Sequence, residues 1–189
     1  TSTAMRESDT RSFDPDALRE KYRIERDKRI RSDGNDQYVE VSGDFSHYVD
    51  DPYITPGLTR ESITRDVEVV IIGGGFGGML AAARLQEAGI TDFTLIEKGG
   101  GFGGTWYWNR YPGASCDIEA YVYLPLLEET GFIPQQKYTN AEETLEYCEV
   151  LAQRYGLHEH ALLQTQVKKV VWQESSRRWQ VTTDRGDVL

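Results

Sequence analysis

Within the first 65 residues of the chain, apolar positions are sparse until the stretch from Tyr48 to Leu58. Asp14 followed by Pro15 predicts an N-cap and a first-turn proline for a charged helix running to about Arg31. Beyond it, Tyr48, Tyr53 and Ile54 are apolar anchors. The pattern predicts an N-terminal extension over residues 1–65, made of a charged helix and an arm. Its charged composition favours partial disorder, whereas its apolar anchors favour wrapping around a larger body, and both interpretations stay open.

From Asp66 onward the pattern changes to that of a folded domain. Residues 67–72 form an apolar, β-branched run typical of a buried parallel strand. A glycine-rich stretch and a helix-forming segment over residues 79–88 follow, and residues 93–96 predict a second strand. This strand, helix and strand order predicts an α/β fold of the Rossmann type.

Two later segments add a helix and a hairpin to this domain. Thr139 and Glu142 fit a capping box for a helix that buries Cys148 on its apolar face. Residues 167–172 and 178–183 are alternating β runs joined by a polar turn, which predicts a hairpin. The prediction for residues 66–189 is therefore a three-layer domain of parallel sheet plus β-hairpin. It is expected to be incomplete at its C-terminus, where residues 188–189 could start another strand.

Composition narrows the classes of function. The chain has 21 Lys and Arg against 31 Asp and Glu, a net charge of -10, which opposes binding to phosphate backbones and anionic lipids. No nucleic-acid or membrane partner is therefore expected. Two cysteines and a charged start without an apolar stretch predict a cytoplasmic protein. Cys116 has neither a histidine neighbour nor a second ligand at useful spacing, so no metal site is predicted.

The motif Gly73-x-Gly75-x-x-Gly78 lies directly between the first strand and its helix. In that context the first glycine makes the tight turn, the second lets the backbone approach a pyrophosphate, and the third permits close helix–strand packing. Glu97 ends the second strand, where a carboxylate accepts hydrogen bonds from a ribose. A 2′-phosphate would be repelled there, so the motif predicts FAD or NAD at this site.

A second glycine cluster, residues 99–104, follows Glu97 immediately and leads into Trp106 and Trp108. Its glycines would let main chain lie against a flat ligand while the tryptophans exclude water, although a flexible loop with core tryptophans fits the composition as well. Asp117 comes shortly afterwards. It is either a pocket carboxylate that orients a cation or moves a proton, or a turn aspartate.

These residues together resemble the FAD-binding portion of type I, flavin-dependent Baeyer-Villiger monooxygenases. The glycine motif is shared by many flavoproteins, but the run from Gly103 to Asp117 is far more specific. It reads Gly-Gly-Thr-Trp-Tyr-Trp-Asn-Arg-Tyr-Pro-Gly-x-x-Cys-Asp. The resemblance covers residues 66–189, and the preceding extension is similar to that of members acting on bulky or polycyclic ketones.

The resemblance implies FAD and NADPH as cofactors, with a ketone and O2 as substrates. It implies that NADPH reduces FAD, that O2 adds to give a C4a-peroxyflavin, and that this peroxide converts the ketone to an ester or lactone. It places Glu97 at the ribose, the backbone of Val167 at the adenine, and Asp117 beside the flavin as the aspartate that positions a catalytic arginine. The other cofactor contacts it implies are Gly73, Gly75, Phe76, Gly77, Gly78, Gly104, Thr105, Trp106, Trp108 and Tyr123.

The catalytic arginine and a second glycine motif for NADPH do not occur in these 189 residues. The 189 residues alone are therefore expected to be inactive. The NADPH domain is expected in the remainder of the same chain, or otherwise on a separate partner. Two other functions fit the same motifs: an N- or S-oxygenating flavin monooxygenase, and a non-catalytic nucleotide-binding module.

Overall fold

The computed structural model describes residues 14–39 and 41–189, and the chain divides into two compact units, Thr1–Asp50 and Asp51–Leu189. Residues 1–13 and 40 of the predicted extension lie outside the described part. The predicted domain boundary at residue 65 stays a prediction, and residues 51–65 belong to the second unit. None of the helices formed by the described residues is long and apolar enough to cross a bilayer.

The first unit contains helix α1 (Pro15–Asp27) and two 3-10 helices (Gly34–Gln37 and Gly43–Val49). The Asp14 carboxylate accepts from the amides of Asp16 and Ala17 at 2.9 and 3.2 Å, so the predicted start of α1 is confirmed. The predicted end at about Arg31 is wrong. Helix α1 buries none of its residues, and the side-chain hydrogen bonds found along it in the described part of the chain join residues at most four positions apart. Arg31 pairs instead with Asp33 in the turn that follows.

The second unit is built on a parallel sheet of three strands in the order β1-β2-β3. These strands are β1 (Val69–Ile72), β2 (Phe93–Ile96) and β3 (Ala161–Leu162). Strand β1 begins two residues later than predicted because the amides of Glu68 and Val69 both donate to the carbonyl of Asp92. Strand β3 was not predicted, since two residues are too few to show a period.

Helix α2 (Phe76–Glu87) connects β1 to β2, and three one-turn helices follow: α3 (Thr105–Trp108), α4 (Ala120–Tyr123) and α5 (Leu127–Thr130). Helix α6 (Ala141–Arg154) begins one residue later than a cap at Thr139 implies. Thr139 is fully buried and accepts from the Thr144 hydroxyl at 3.0 Å. Asn140 caps α6 instead, through a 2.8 Å bond from the amide of Glu143, so the predicted capping box is wrong.

The predicted hairpin is confirmed as antiparallel strands β4 (Val167–Gln173) and β5 (Arg178–Thr183). Val188 forms only isolated bridges, one to Thr64 and one to Thr182. Leu189 and Val181 exchange two backbone hydrogen bonds of 2.8 and 2.9 Å. The last residues therefore pack against the edge of the hairpin.

The core confirms the predicted three layers. Phe93 and Leu95 of β2 face α2 and α6, where they pack with Met79 and Cys148. Ile96 belongs to a separate cluster on the hairpin side, with Val181, Leu189 and other residues. The sheet thus separates a helical layer from the hairpin, because alternate strand residues point to opposite faces. The prediction that Cys148 is a core residue is confirmed, and burial raises the pKa of its thiol to about 12.

Candidate functional site

The first glycine loop joins β1 to α2 and leaves the amino end of α2 open. The amide of Gly73 donates to the carbonyl of Ile96 at 2.8 Å, which ties the loop to β2. The first amides of any helix lack partners within the helix. Gly75, the N-cap residue, offers no side chain to satisfy them, and the first turn has no acidic residue. The positive end of the α2 dipole is therefore available to an anion.

Helix α2 packs unusually close to the loop that precedes it. A Cβ built on Gly78 would lie 1.9 Å from the carbonyl oxygen of Gly73 and 3.4 Å from Ile71 Cγ2. Only glycine permits this approach, and it is the packing role that the motif predicts for the third glycine. The neighbouring Gly77 is exposed, and nothing lies within 4 Å of a Cβ built there.

The second glycine loop crosses the first. The amide of Gly103 donates to the carbonyl of Gly74 at 2.9 Å. Gly104 has φ +53°, and a Cβ on it would lie 2.9 Å from the Cα of Gly75. Two backbones can approach this closely only where neither carries a side chain. The crossing lies directly beside the open end of α2.

Glu97 joins the two loops. The residue is 5% exposed, and one carboxylate oxygen accepts from the amide of Gly74 while the other accepts from the amide of Gly99, both at 2.6 Å. These are charge-assisted hydrogen bonds to backbone, which are stronger than neutral ones. Each carboxylate oxygen can accept a second hydrogen bond, so the hydroxyls of a ligand could still bind. This second, architectural role of Glu97 was not predicted.

An aromatic cluster lies next to the amino end of α2. Trp106 is 7% exposed, and its indole nitrogen donates to the hydroxyl of Tyr123 at 2.9 Å. Phe76 packs edge-on against Tyr123, with the ring centroids 5.7 Å apart. Burial raises the pKa of Tyr123, which therefore stays neutral at pH 7. The structure thus brings three predicted site residues together.

Thr105 and Trp108 belong to the one-turn helix α3 at the end of the second loop. Thr105 is exposed. Trp108 is half-buried, with its ring carbon Cζ2 3.1 Å from the position of a Cβ on Gly99. The amine of Lys98 lies 5.0 Å from the centroid of the Trp108 ring. Trp108 therefore packs against the second loop.

Two predicted site residues lie away from these contacts. Asp117 is exposed, and no hydrogen bond or ion pair joins its side chain to another residue within 14–39 or 41–189. Val167 is half-buried and packs in the hairpin-side cluster. Two residues before it, the amide of Thr165 donates to the carbonyl of Glu97 at 2.9 Å, so β4 starts near the end of β2.

Sequence reasoning missed Asp51 and Tyr107, which bond to the second loop at Gly100. The signal available for them was slight. Tyr53 and Ile54 were recognised as apolar anchors, but Asp51 is one acidic residue among many, and Tyr107 stands between two more conspicuous tryptophans.

The sequence is similar to that of several known proteins. Residues 71–131 match the model of an NAD(P)-binding Rossmann-like domain. The Baeyer-Villiger monooxygenase ATR8 of Stachybotrys chlorohalonatus is 48% identical over 183 residues, which cover 96% of this chain and 29% of that protein.

Two solved structures are similar in fold. The polycyclic ketone monooxygenase of Thermothelomyces thermophila matches with a TM-score of 0.73 and 37% identity, covering 90% of this chain and 29% of that one. The OTEMO complex with FAD and NADP matches with a TM-score of 0.61 and 32% identity, covering 65% and 24%. The chain spans under a third of the length of the curated relatives it matches. By sequence and by fold, the chain is therefore a homologue of the Baeyer-Villiger monooxygenases over a Rossmann-like part of their length.

Proposed function

We propose that this chain forms the FAD-binding part of an NADPH- and O2-dependent Baeyer-Villiger monooxygenase that converts ketones to esters or lactones. One observation carries the proposal. The two glycine loops cross at Gly75 and Gly104 beside the uncapped end of α2, and the buried carboxylate of Glu97 holds both loops. Similarity to Baeyer-Villiger monooxygenases over most of the chain supports this assignment.

The residues fit a dinucleotide. The open amides at the start of α2, from Phe76 to Gly78, would hold the pyrophosphate, with Gly73 and Gly75 shaping the loop. Glu97 would accept from the ribose hydroxyls with the lone pairs that the amides of Gly74 and Gly99 leave free. The backbone of Val167 would contact the adenine.

When bound, FAD supplies the redox chemistry that activates O2. The chain's own contribution is binding, orientation and exclusion of water. Trp106 and Tyr123 are held against each other by a 2.9 Å hydrogen bond, which gives the flavin end a rigid apolar wall. Gly104, Thr105 and Trp108 would complete its surroundings. Asp117 would position a catalytic arginine supplied by the rest of the protein.

The remaining partners follow from the family. NADPH would bind to a second domain in the remainder of the same chain, and the substrate would be a bulky or polycyclic ketone. One solved structure, whose match covers 90% of this chain, is a polycyclic ketone monooxygenase. This similarity favours oxygenation next to a ketone carbonyl over oxygenation of nitrogen or sulfur.

The full-length protein provides the test. We expect a yellow protein with flavin absorbance that consumes NADPH and O2 when a polycyclic ketone is added and releases the matching ester or lactone, identified by mass spectrometry. A colourless protein that FAD cannot reconstitute would overturn the cofactor assignment. A flavoprotein that oxygenates sulfides and amines but none of a ketone panel would overturn the reaction.

A further inference from the structure

The segment that begins at Asp51, at the start of the second unit, bonds directly to the second glycine loop. The same carboxylate oxygen of Asp51 accepts from the amide of Gly100 at 2.9 Å and from the hydroxyl of Tyr107 at 2.7 Å. The amide of Gly100 also lies 2.9 Å from the Tyr107 hydroxyl oxygen. Asp51 stands 49 residues before Gly100, so this is a tertiary contact and not a turn within the loop.

Aromatic and aliphatic side chains pack around these hydrogen bonds. Tyr53 packs edge-on against Tyr107, with the centroids 5.6 Å apart, and the guanidinium carbon of Arg110 lies 3.8 Å from the Tyr53 ring centroid. Ile54 Cγ2 comes within 2.1 Å of the position of a Cβ on Gly100. The side chain of Ile54 therefore occupies the space that any other residue at position 100 would need.

Tyr107 is fixed as a hydrogen-bond donor to Asp51. Burial, together with the hydrogen bond to the Asp51 carboxylate, raises the pKa of Tyr107 to about 12. The Tyr107 hydroxyl therefore stays protonated at neutral pH. The bond to Asp51 joins this hydroxyl to a carboxylate, which is a stronger kind of hydrogen bond than one between two neutral groups.

The hydrogen bond to Asp51 lies next to one that Glu97 makes to the same loop. The amide of Gly99 donates to Glu97 at 2.6 Å, and the next amide, of Gly100, donates to Asp51. The carbonyl of Gly99 accepts from Gln164 at 2.9 Å. Two carboxylates thus hold successive amides of one loop, and any motion of that loop would also disturb the oxygen of Glu97 that Gly99 orients.

We propose that Asp51, Tyr53 and Ile54 form a latch, closed by Tyr107, that positions the second glycine loop and Glu97 for the adenosine half of the dinucleotide. The latch residues are positioning residues and act through the loop. The inference rests on the proposed function, because it concerns the same site.

The experiment compares FAD affinity and thermal stability in the full-length protein. In Asp51→Ala the bonds that Asp51 accepts from Gly100 and Tyr107 are lost, and we expect the FAD dissociation constant to rise by about tenfold, equal to roughly 1.4 kcal/mol. In Asp51→Asn the amide oxygen can still accept from Gly100 and Tyr107, so affinity should stay within about threefold of the parent. The control is Asp50→Ala, which replaces an exposed aspartate one position earlier. This variant should bind FAD as tightly as the parent does.

Tyr107→Phe is the second variant, and it keeps the ring packing while removing the hydroxyl. It should weaken FAD binding, and it should lower the melting temperature of the FAD-free protein by no more than Asp51→Ala does, because it removes one of the two bonds to Asp51 and keeps the other. Equal FAD affinity in Asp51→Ala and the parent would overturn the latch, and so would equal weakening by Ala and Asn. If the parent itself binds no FAD, the proposed function fails, which is a different result.

Discussion

The close approach of α2 to its own loop makes Gly78→Ala the most informative single substitution in the chain. The added methyl would lie 1.9 Å from the carbonyl oxygen of Gly73, and that oxygen belongs to backbone, which cannot rotate away. Relieving the overlap requires α2 to move away from the loop at Gly73, because real Cβ atoms essentially never lie within 3.0 Å of another heavy atom. The buried Met79, adjacent on the helix, would leave its place in the core at the same time.

The magnitude follows from two opposing effects. Overpacking of a close-packed region costs about 1–3 kcal/mol, and a backbone clash lies at the upper end of that range. Replacing glycine by alanine within a helix stabilises the folded state by roughly 0.5–1 kcal/mol. The expected net loss is about 2 kcal/mol, which lowers the melting temperature by about 4–8 °C for a domain of this size. FAD affinity should fall as well, because the amides at the start of α2 move with the helix.

Gly77→Ala is the matched control for stability, since it makes the same chemical change one residue earlier on the same helix. A Cβ there meets nothing within 4 Å, so the melting temperature should be unchanged or slightly higher. Thermal unfolding of the full-length protein, with and without added FAD, measures both variants. If Gly78→Ala melts with the parent and retains FAD equally, the close approach of helix and loop is not what positions the amides.

Three further substitutions, one of them with a matched control, test other parts of the structure. Glu97→Ala removes two charge-assisted bonds to buried backbone and should cost roughly 2–4 kcal/mol while weakening FAD retention; unchanged FAD affinity would refute its role at the ribose. Arg60→Ala breaks a bidentate ion pair with the fully buried Asp187, in which both bonds are 2.6 Å, and should lower the free energy of unfolding by about 3 kcal/mol. Its control is Arg178→Ala, which breaks an exposed pair with Asp66 and should lower that free energy by less than about 1 kcal/mol. A denaturant titration measures both. Asp117→Ala should slow ketone oxygenation with FAD still bound, and a normal rate of ester formation would show that this aspartate is dispensable.

The buried pair also predicts a dependence on pH. Arg60, with smaller contributions from Thr183 and the amide of Ile63, holds the pKa of Asp187 well below its usual range. A carboxyl with a lowered pKa in the folded state stabilises the protein above its unfolded pKa of about 3.9 and loses that contribution as pH falls further. The stability difference between the parent and Asp187→Asn should therefore shrink below about pH 4. A difference that stays constant down to pH 3 would contradict this reasoning.

The sequence by itself determined the elements whose signals are local. Strand β2, helix α2 after the glycine motif, and the hairpin all follow from short-range periodicity and from glycine positions. The start of α1 at Asp14 was equally predictable, because its cap lies within three residues of the amides that it accepts from.

Only the tertiary structure decided the features that depend on distant partners. Thr139 does not cap α6, since its hydroxyl accepts from Thr144 and its carbonyl accepts from the amide of Cys116. Strand β3 is defined only by its pairing with β2. The sequence predicted a ligand role for Glu97, and only the structure shows that its carboxylate also joins two loops, one of them 23 residues earlier. The partner of a backbone amide is set by which segments the fold brings within 3 Å, and no local pattern at Asp51 records that Gly100 will be one of them.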